Sequence, residues 1–275
     1  MYDLLTYCES FRQWPASVGY AARLAAAFDS HLTGMYVCAA PASMLSPYDT
    51  PQLMTEVLLA TRQIEEDAYA SGPFFEAFAR ERGATRASWL VGEGDTPSSL
   101  GLASSCHDAL VIGRTPYSPW GSVSAVGSIV LGTDIPCIVI PENQPEEVSL
   151  DCVAIAWNGS VEAMRATHAA LPILRRARKV SVLHGEQRPP ANMASWKPQF
   201  SLSNYLSSHG IQSESVFLPE PSATTGTMLL DSAREAGANM LVMGAYGHTR
   251  FSEWVLGGAT RAVLEHISLP VFMRH

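Results

Sequence analysis

The chain has 275 residues, of which 47% are hydrophobic and only 16% charged, a balance that can bury a sizeable core and excludes a disordered chain. Its net charge of -8 and the lack of any basic stripe exclude the usual electrostatic footprint of a nucleic-acid binder. Its longest apolar runs are too short to span a membrane, its opening residues lack a signal-peptide pattern, and its five scattered cysteines form no CxxC, which together point to a reducing cytoplasm.

In chain order, short apolar runs predict strands at 2–7, 31–39, 85–91, 108–113 and 136–140. Amphipathic stretches between them predict helices at 15–29, 51–82, 96–106 and 123–133. The alternation then starts again, with strands predicted at 151–156, 179–184, 212–218, 239–244 and 270–274 and helices at 160–176, 197–209, 223–236 and 257–267. The repetition is visible in the residues themselves. The run Asp108 to Gly113 (DALVIG) recurs at Asn239 to Gly244 (NMLVMG), and Ile135 to Ile140 (IPCIVI) recurs at Leu269 to Met273 (LPVFM). The acidic, proline-bearing stretch 141–147 reads as a linker. Two domains follow, 1–142 and 148–275. Strands that are continuously apolar rather than alternating are covered by helices on both faces, so each domain is expected to be a doubly wound α/β domain with a parallel sheet. Ligands of such sheets bind beyond the carboxyl ends of the strands, where the strand order reverses.

One loop at that end carries a pattern. After the fourth strand of the second half comes Gly244-Ala-Tyr-Gly247, then nine residues, then Gly257-Gly258-Ala259-Thr260 and a helix. Any one of these glycines could simply shape a turn. Four at this spacing, after a buried strand and before a helix, place backbone N–H donors and a helix N-terminus around one point, which suits a phosphate. Thr260 adds a hydroxyl. No G-x-x-x-x-G-K-S/T occurs, so this is not a P-loop with its lysine.

The segment Met243 to Arg250 together with Gly257 to Thr260 resembles the signature of the universal stress protein family, G-x-x-G, nine residues, then G-S/T. The resemblance extends to two family-like domains over essentially the whole chain. It implies tandem, adenine nucleotide α-hydrolase-like domains with five-stranded parallel sheets, and an ATP-binding protein acting as a nucleotide-dependent regulatory or protective factor. It implies phosphate and ribose contacts at Gly244, Gly247, Gly257, Gly258, Ala259 and Thr260, with His248 able to reach phosphate oxygens. Met243 would border ribose and adenine, and Ala156, Trp157 and Asn158 would line the adenine side. A divalent cation such as magnesium can accompany the phosphates, with no protein-built metal site. Two positions depart from the pattern. Asn158 stands where the family usually has aspartate, removing a negative charge, and Gly258 stands where it usually has Ser or Thr, removing a hydroxyl.

The first half has lost this loop. Gly113 matches Gly244, but the next glycine position is Pro116, and Pro116 and Pro119 offer no N–H. Glu9 stands where its counterpart in the second half is Gly159, and a carboxylate there disfavours a triphosphate. The expectation is therefore one nucleotide per chain, in the second half, and a structural or partner role for the first. Catalytic signatures are missing, so a weak ATPase is the most that is expected; His184, with Glu186, is the one candidate for acid–base work. The competing reading is a non-nucleotide-binding interaction scaffold of the same fold. Exposed edges on the closing strands predict that a tandem chain pairs its own halves as a pseudo-dimer, which could itself form a homodimer.

Overall fold

The computed structural model describes residues 1–46, 48–185, 201–218, 225–245 and 258–275. The chain divides into two compact units, one of residues 1–135 and 142–148, the other of residues 136–141 and 149–275.

In the first unit, strands β1 (Asp3–Tyr7), β2 (His31–Cys38), β3 (Arg86–Glu93) and β4 (Ala109–Arg114) lie parallel in the order β3-β2-β1-β4. The fully buried Leu4, Leu5, Leu110 and Val111 explain why these runs are apolar without alternation, since helices cover the sheet. Helix α1 (Ala16–Phe28) buries Val18, Tyr20, Ala21, Leu24 and Ala25. It ends at Asp29 in the left-handed conformation (φ 49°), which Asp tolerates better than most side chains. A one-turn helix, α2 (Pro41–Met44), follows β2. The single helix predicted over 51–82 is two, α3 (Pro51–Ala70) and α4 (Gly72–Glu81), because Pro73 cannot donate into a continuous helix and starts a new one instead. Thr50 caps α3 by accepting from the Leu53 N–H. Helices α5 (Thr96–Ser104) and α6 (Val123–Gly132) are capped in the same way by Asp95 and Ser122.

The second unit contains β5 (Cys137–Pro141), β6 (Cys152–Trp157), β7 (Lys179–His184), β8 (Ser213–Phe217), β9 (Met240–Gly244) and β10 (Val271–Arg274), in the order β5-β10-β9-β6-β7-β8. Strands β6 to β10 are parallel. The two closing strands of the sequence repeat pair antiparallel, with Val139 opposite Val271 and Ile138 opposite Phe272, all four side chains fully buried. This unit therefore carries a sixth strand beyond the five expected of it. The helix predicted over 160–176 is broken into α7 (Val161–Ala169) and α8 (Leu171–Leu174), again at a proline, Pro172. Helices α9 (Leu202–Ser208), α10 (Thr225–Glu235) and α11 (Gly258–Glu265) complete the unit. From β6 the chain winds through β7 to β8 on one side, then crosses to β9 and β10 on the other. The reversal thus falls between β6 and β9, whose carboxyl ends are Trp157 and Gly244.

Candidate functional site

A cavity of about 230 Å³ opens at this reversal. Its floor comes from the ends of the two central strands, Ala156 and Trp157 of β6 and Met243 and Gly244 of β9, with Asn158 just beyond. Gly258, Ala259 and Thr260, the first turn of α11, form another wall. Eight of the residues expected from sequence thus surround one space. Gly247, His248 and Gly257 lie outside the described residues, as do Arg250 and Glu186.

The turn after β6 is built by its own side chains. Asn158 Oδ1 accepts from the Ser160 N–H at 3.0 Å, and Ser160 Oγ accepts from the Ala163 N–H at 3.1 Å, capping α7. Gly159 between them has φ 74°, a conformation that favours glycine. Because the Ser160 N–H needs an acceptor, the orientation of the Asn158 amide is set, and its NH₂ is the group left for other contacts. On the other strand, Ala245 is fully buried and donates its N–H to the Arg274 carbonyl at 2.9 Å, so the chain leaves the sheet only after Ala245.

Gly244 is explained by packing. A Cβ placed on it would lie 2.5 Å from Ala163 N and 2.6 Å from the Glu162 carbonyl carbon, so glycine lets the first turn of α7 rest directly on the end of β9. Its backbone is not in the left-handed region. Gly258 is the opposite case, since a Cβ there meets none of the described residues within 4 Å. Gly226 supports the site from behind: a Cβ there would lie 2.6 Å from the Ala259 carbonyl oxygen and from Ala262 Cβ, so it permits α10 to sit close under α11.

The remaining wall was not read from the sequence. It includes Leu183 and Gly185 at the end of β7, Leu218 after β8, and Thr225, Met228 and Leu229 of α10. Two signals could have found part of it. Trp157 pairs in register with His184, which puts the end of β7 beside the site, and Thr225, Met228 and Leu229 fall at helical spacing on one face. Glu162 also lines the cavity. His184 does not: its Nδ1 lies 3.1 Å from the Gly185 carbonyl oxygen and its ring packs edge-on against Phe217.

In the first unit the loops that follow β1 and β4 meet through Glu9 and Ser118. After β4, the loop folds on itself so tightly that a Cβ on Gly121 would lie 2.4 Å from the Thr115 carbonyl oxygen, and Arg114 Nη1 donates to the Gly121 carbonyl at 3.0 Å. Burial raises the pKa of the Glu9 carboxyl, while a hydrogen bond with Ser118 of that loop opposes the shift. Beyond β2 and β3, Cys38, Ala68 and Val91 form a buried cluster against Phe11, Tyr36 and Trp89, and Trp89 Nε1 donates to the Ala68 carbonyl at 2.8 Å. Helix α3 supplies Ala68, one of its two buried residues.

Residues 221–275, which include α10, β9, α11 and β10, match the sequence profile of the universal stress protein family. The match covers the closing part of the second unit. No curated protein matches the chain. Among solved structures, a universal stress protein from Archaeoglobus fulgidus DSM 4304 aligns with 99% of this chain and 95% of its own, at 15% identity and a TM-score of 0.70. A protein of unknown function from Pseudomonas aeruginosa PAO1 aligns with 100% of this chain and 92% of its own, at 14% identity and a TM-score of 0.61. At such identities the likeness is one of fold, and it covers both halves of the chain, as the internal repeat implies. Among the described residues of this universal stress protein fold, no helix is long and apolar enough to cross a membrane, and no three His, Cys, Asp or Glu side chains gather where they could hold a metal.

Proposed function

We propose that the protein binds one adenine nucleotide, ATP, in the universal stress domain of its second unit and acts as a nucleotide-dependent regulatory or protective factor in the cytoplasm. The observation that carries this reading is the cavity at the strand reversal, which joins an aromatic and apolar side to a helix N-terminus. Trp157, Leu183 and Met243 offer the base a flat, dry surface. Gly258, Ala259 and Thr260 open α11, where first-turn N–H groups and the helix dipole attract an anion. Magnesium would arrive with the phosphates rather than be held by a set of protein ligands. The first unit serves as scaffold or partner surface in this reading. A weak ATPase is the most that this reading includes, and His184 is not among the described residues that line the cavity.

The test is chemical. Protein purified without added nucleotide is denatured, and the released small molecules are identified and counted. An adenine nucleotide near one per chain, lost in Trp157→Ala and in Gly257→Val, supports the proposal. A nucleotide-free extract, together with no binding of millimolar ATP by the same protein, overturns it and favours the scaffold reading.

A further inference from the structure

We propose that Glu162 is a specificity-determining residue of this cavity, one that grades ligands by the charge of their phosphate chain. The inference rests on the nucleotide reading above. Among the described residues that line the cavity, Glu162 is the only one with a formal charge, and that charge is negative. Its position is not incidental. Gly244 lacks a side chain so that α7 can pack against it, and a Cβ on Gly244 would lie 2.8 Å from Glu162 Cβ. The Glu162 side chain therefore starts beside the last residue of β9. Glu162 is half-buried, so solvent screens it less than it would a surface group.

In its first-turn position the same residue favours the α7 dipole, and the Ser160 hydroxyl caps that helix. Fitness for the helix does not remove its field from the cavity. A ligand whose anionic end approaches Gly258 to Thr260 gains from the α11 N-terminus and is opposed by Glu162. An uncharged nucleoside feels neither effect. The opposition grows with each added phosphate, so Glu162 acts as a filter on phosphate number.

The experiment is calorimetric titration of adenosine, AMP, ADP and ATP, without divalent cations, into the wild-type protein and Glu162→Gln. The substitution keeps shape and removes charge. Adenosine should bind both proteins equally, which also reports that the variant is folded. The variant's advantage should rise with phosphate number, reaching about tenfold for ATP, as expected of one carboxylate acting across several ångströms of partly screened space. A variant-to-wild-type ratio that is the same for adenosine and ATP would overturn the inference and leave the nucleotide reading standing. If none of the four ligands binds either protein, the nucleotide reading falls, and this inference with it.

Discussion

Replacing Gly244 with alanine asks whether the cavity is assembled by direct contact between the end of β9 and the first turn of α7. The added methyl would lie 2.5 Å from Ala163 N, against the 3.4 Å or more of ordinary contact, so the two elements must part by about 0.9 Å. The opposing atoms are helix backbone and cannot step aside by changing rotamer. Overpacking of this kind costs about 1–3 kcal/mol. The strained atom, Ala163 N, is also the one that Ser160 caps, and losing that bond adds about 1 kcal/mol. The expected loss is thus about 2–4 kcal/mol, which for a unit of this size lowers the melting temperature by about 10 °C. Ala163, Glu162 and Gly244 all line the cavity, so ATP affinity should fall at least about tenfold as contacts along that wall are lost. Thermal unfolding followed by circular dichroism and calorimetric titration measure the two effects. A variant that melts within about 1 °C of wild type and binds ATP as well would refute the packing argument.

Gly258→Ser should behave differently: the added side chain meets none of the described residues, so stability should stay within about 0.5 kcal/mol, and the hydroxyl beside the α11 N-terminus should tighten ATP binding severalfold; a fall in affinity would show that phosphate does not lie there. Val139→Asp places an unpaired charge in the fully buried β5–β10 pairing and should cost about 3–5 kcal/mol; by hydrogen exchange, β10 amides should lose protection while β2 amides keep theirs, and unchanged β10 protection would contradict the pairing. In the first unit, burial raises the Glu9 pKa, so the folded state holds its proton more tightly than the unfolded one. That contribution is fully present below the ordinary value of 4.5 and is lost as pH rises through the folded value, so Glu9→Gln should become more stable than wild type toward neutral pH, as read from urea unfolding at pH 4.5 and 7; equal curves at both would refute it.

Much of this architecture could be read from the residues because the strands are continuous apolar runs punctuated by caps. All ten strands fall within two residues of their expected ends. The misses have local causes. Pro73 and Pro172 sit inside amphipathic stretches whose periodicity runs on past them, so pattern alone joined helices that the missing N–H groups divide. The short α2 has too few residues for any period to show. At the site, the loop after β6 and the start of α11 were legible because glycines, Ser160 and Thr260 carry local chemistry. Leu183, Leu218 and Met228 were not, since an apolar residue at a strand end or on a helix looks the same whether it faces core or cavity. Gly244 shows the other limit: its spacing marked it, while its reason, the backbone of α7, lies some eighty residues earlier in the chain. The aromatic filling beyond β2 and β3 was equally hidden, because Phe11, Tyr36 and Trp89 meet only in three dimensions.

The central claim, one adenine nucleotide per chain in the second unit, is tested most directly by calorimetric titration of ATP with magnesium into the intact protein, with stoichiometry as the readout. One equivalent bound in wild type and none in Trp157→Ala is the predicted result. No binding, two equivalents per chain, or one equivalent unaffected by Trp157→Ala would contradict it.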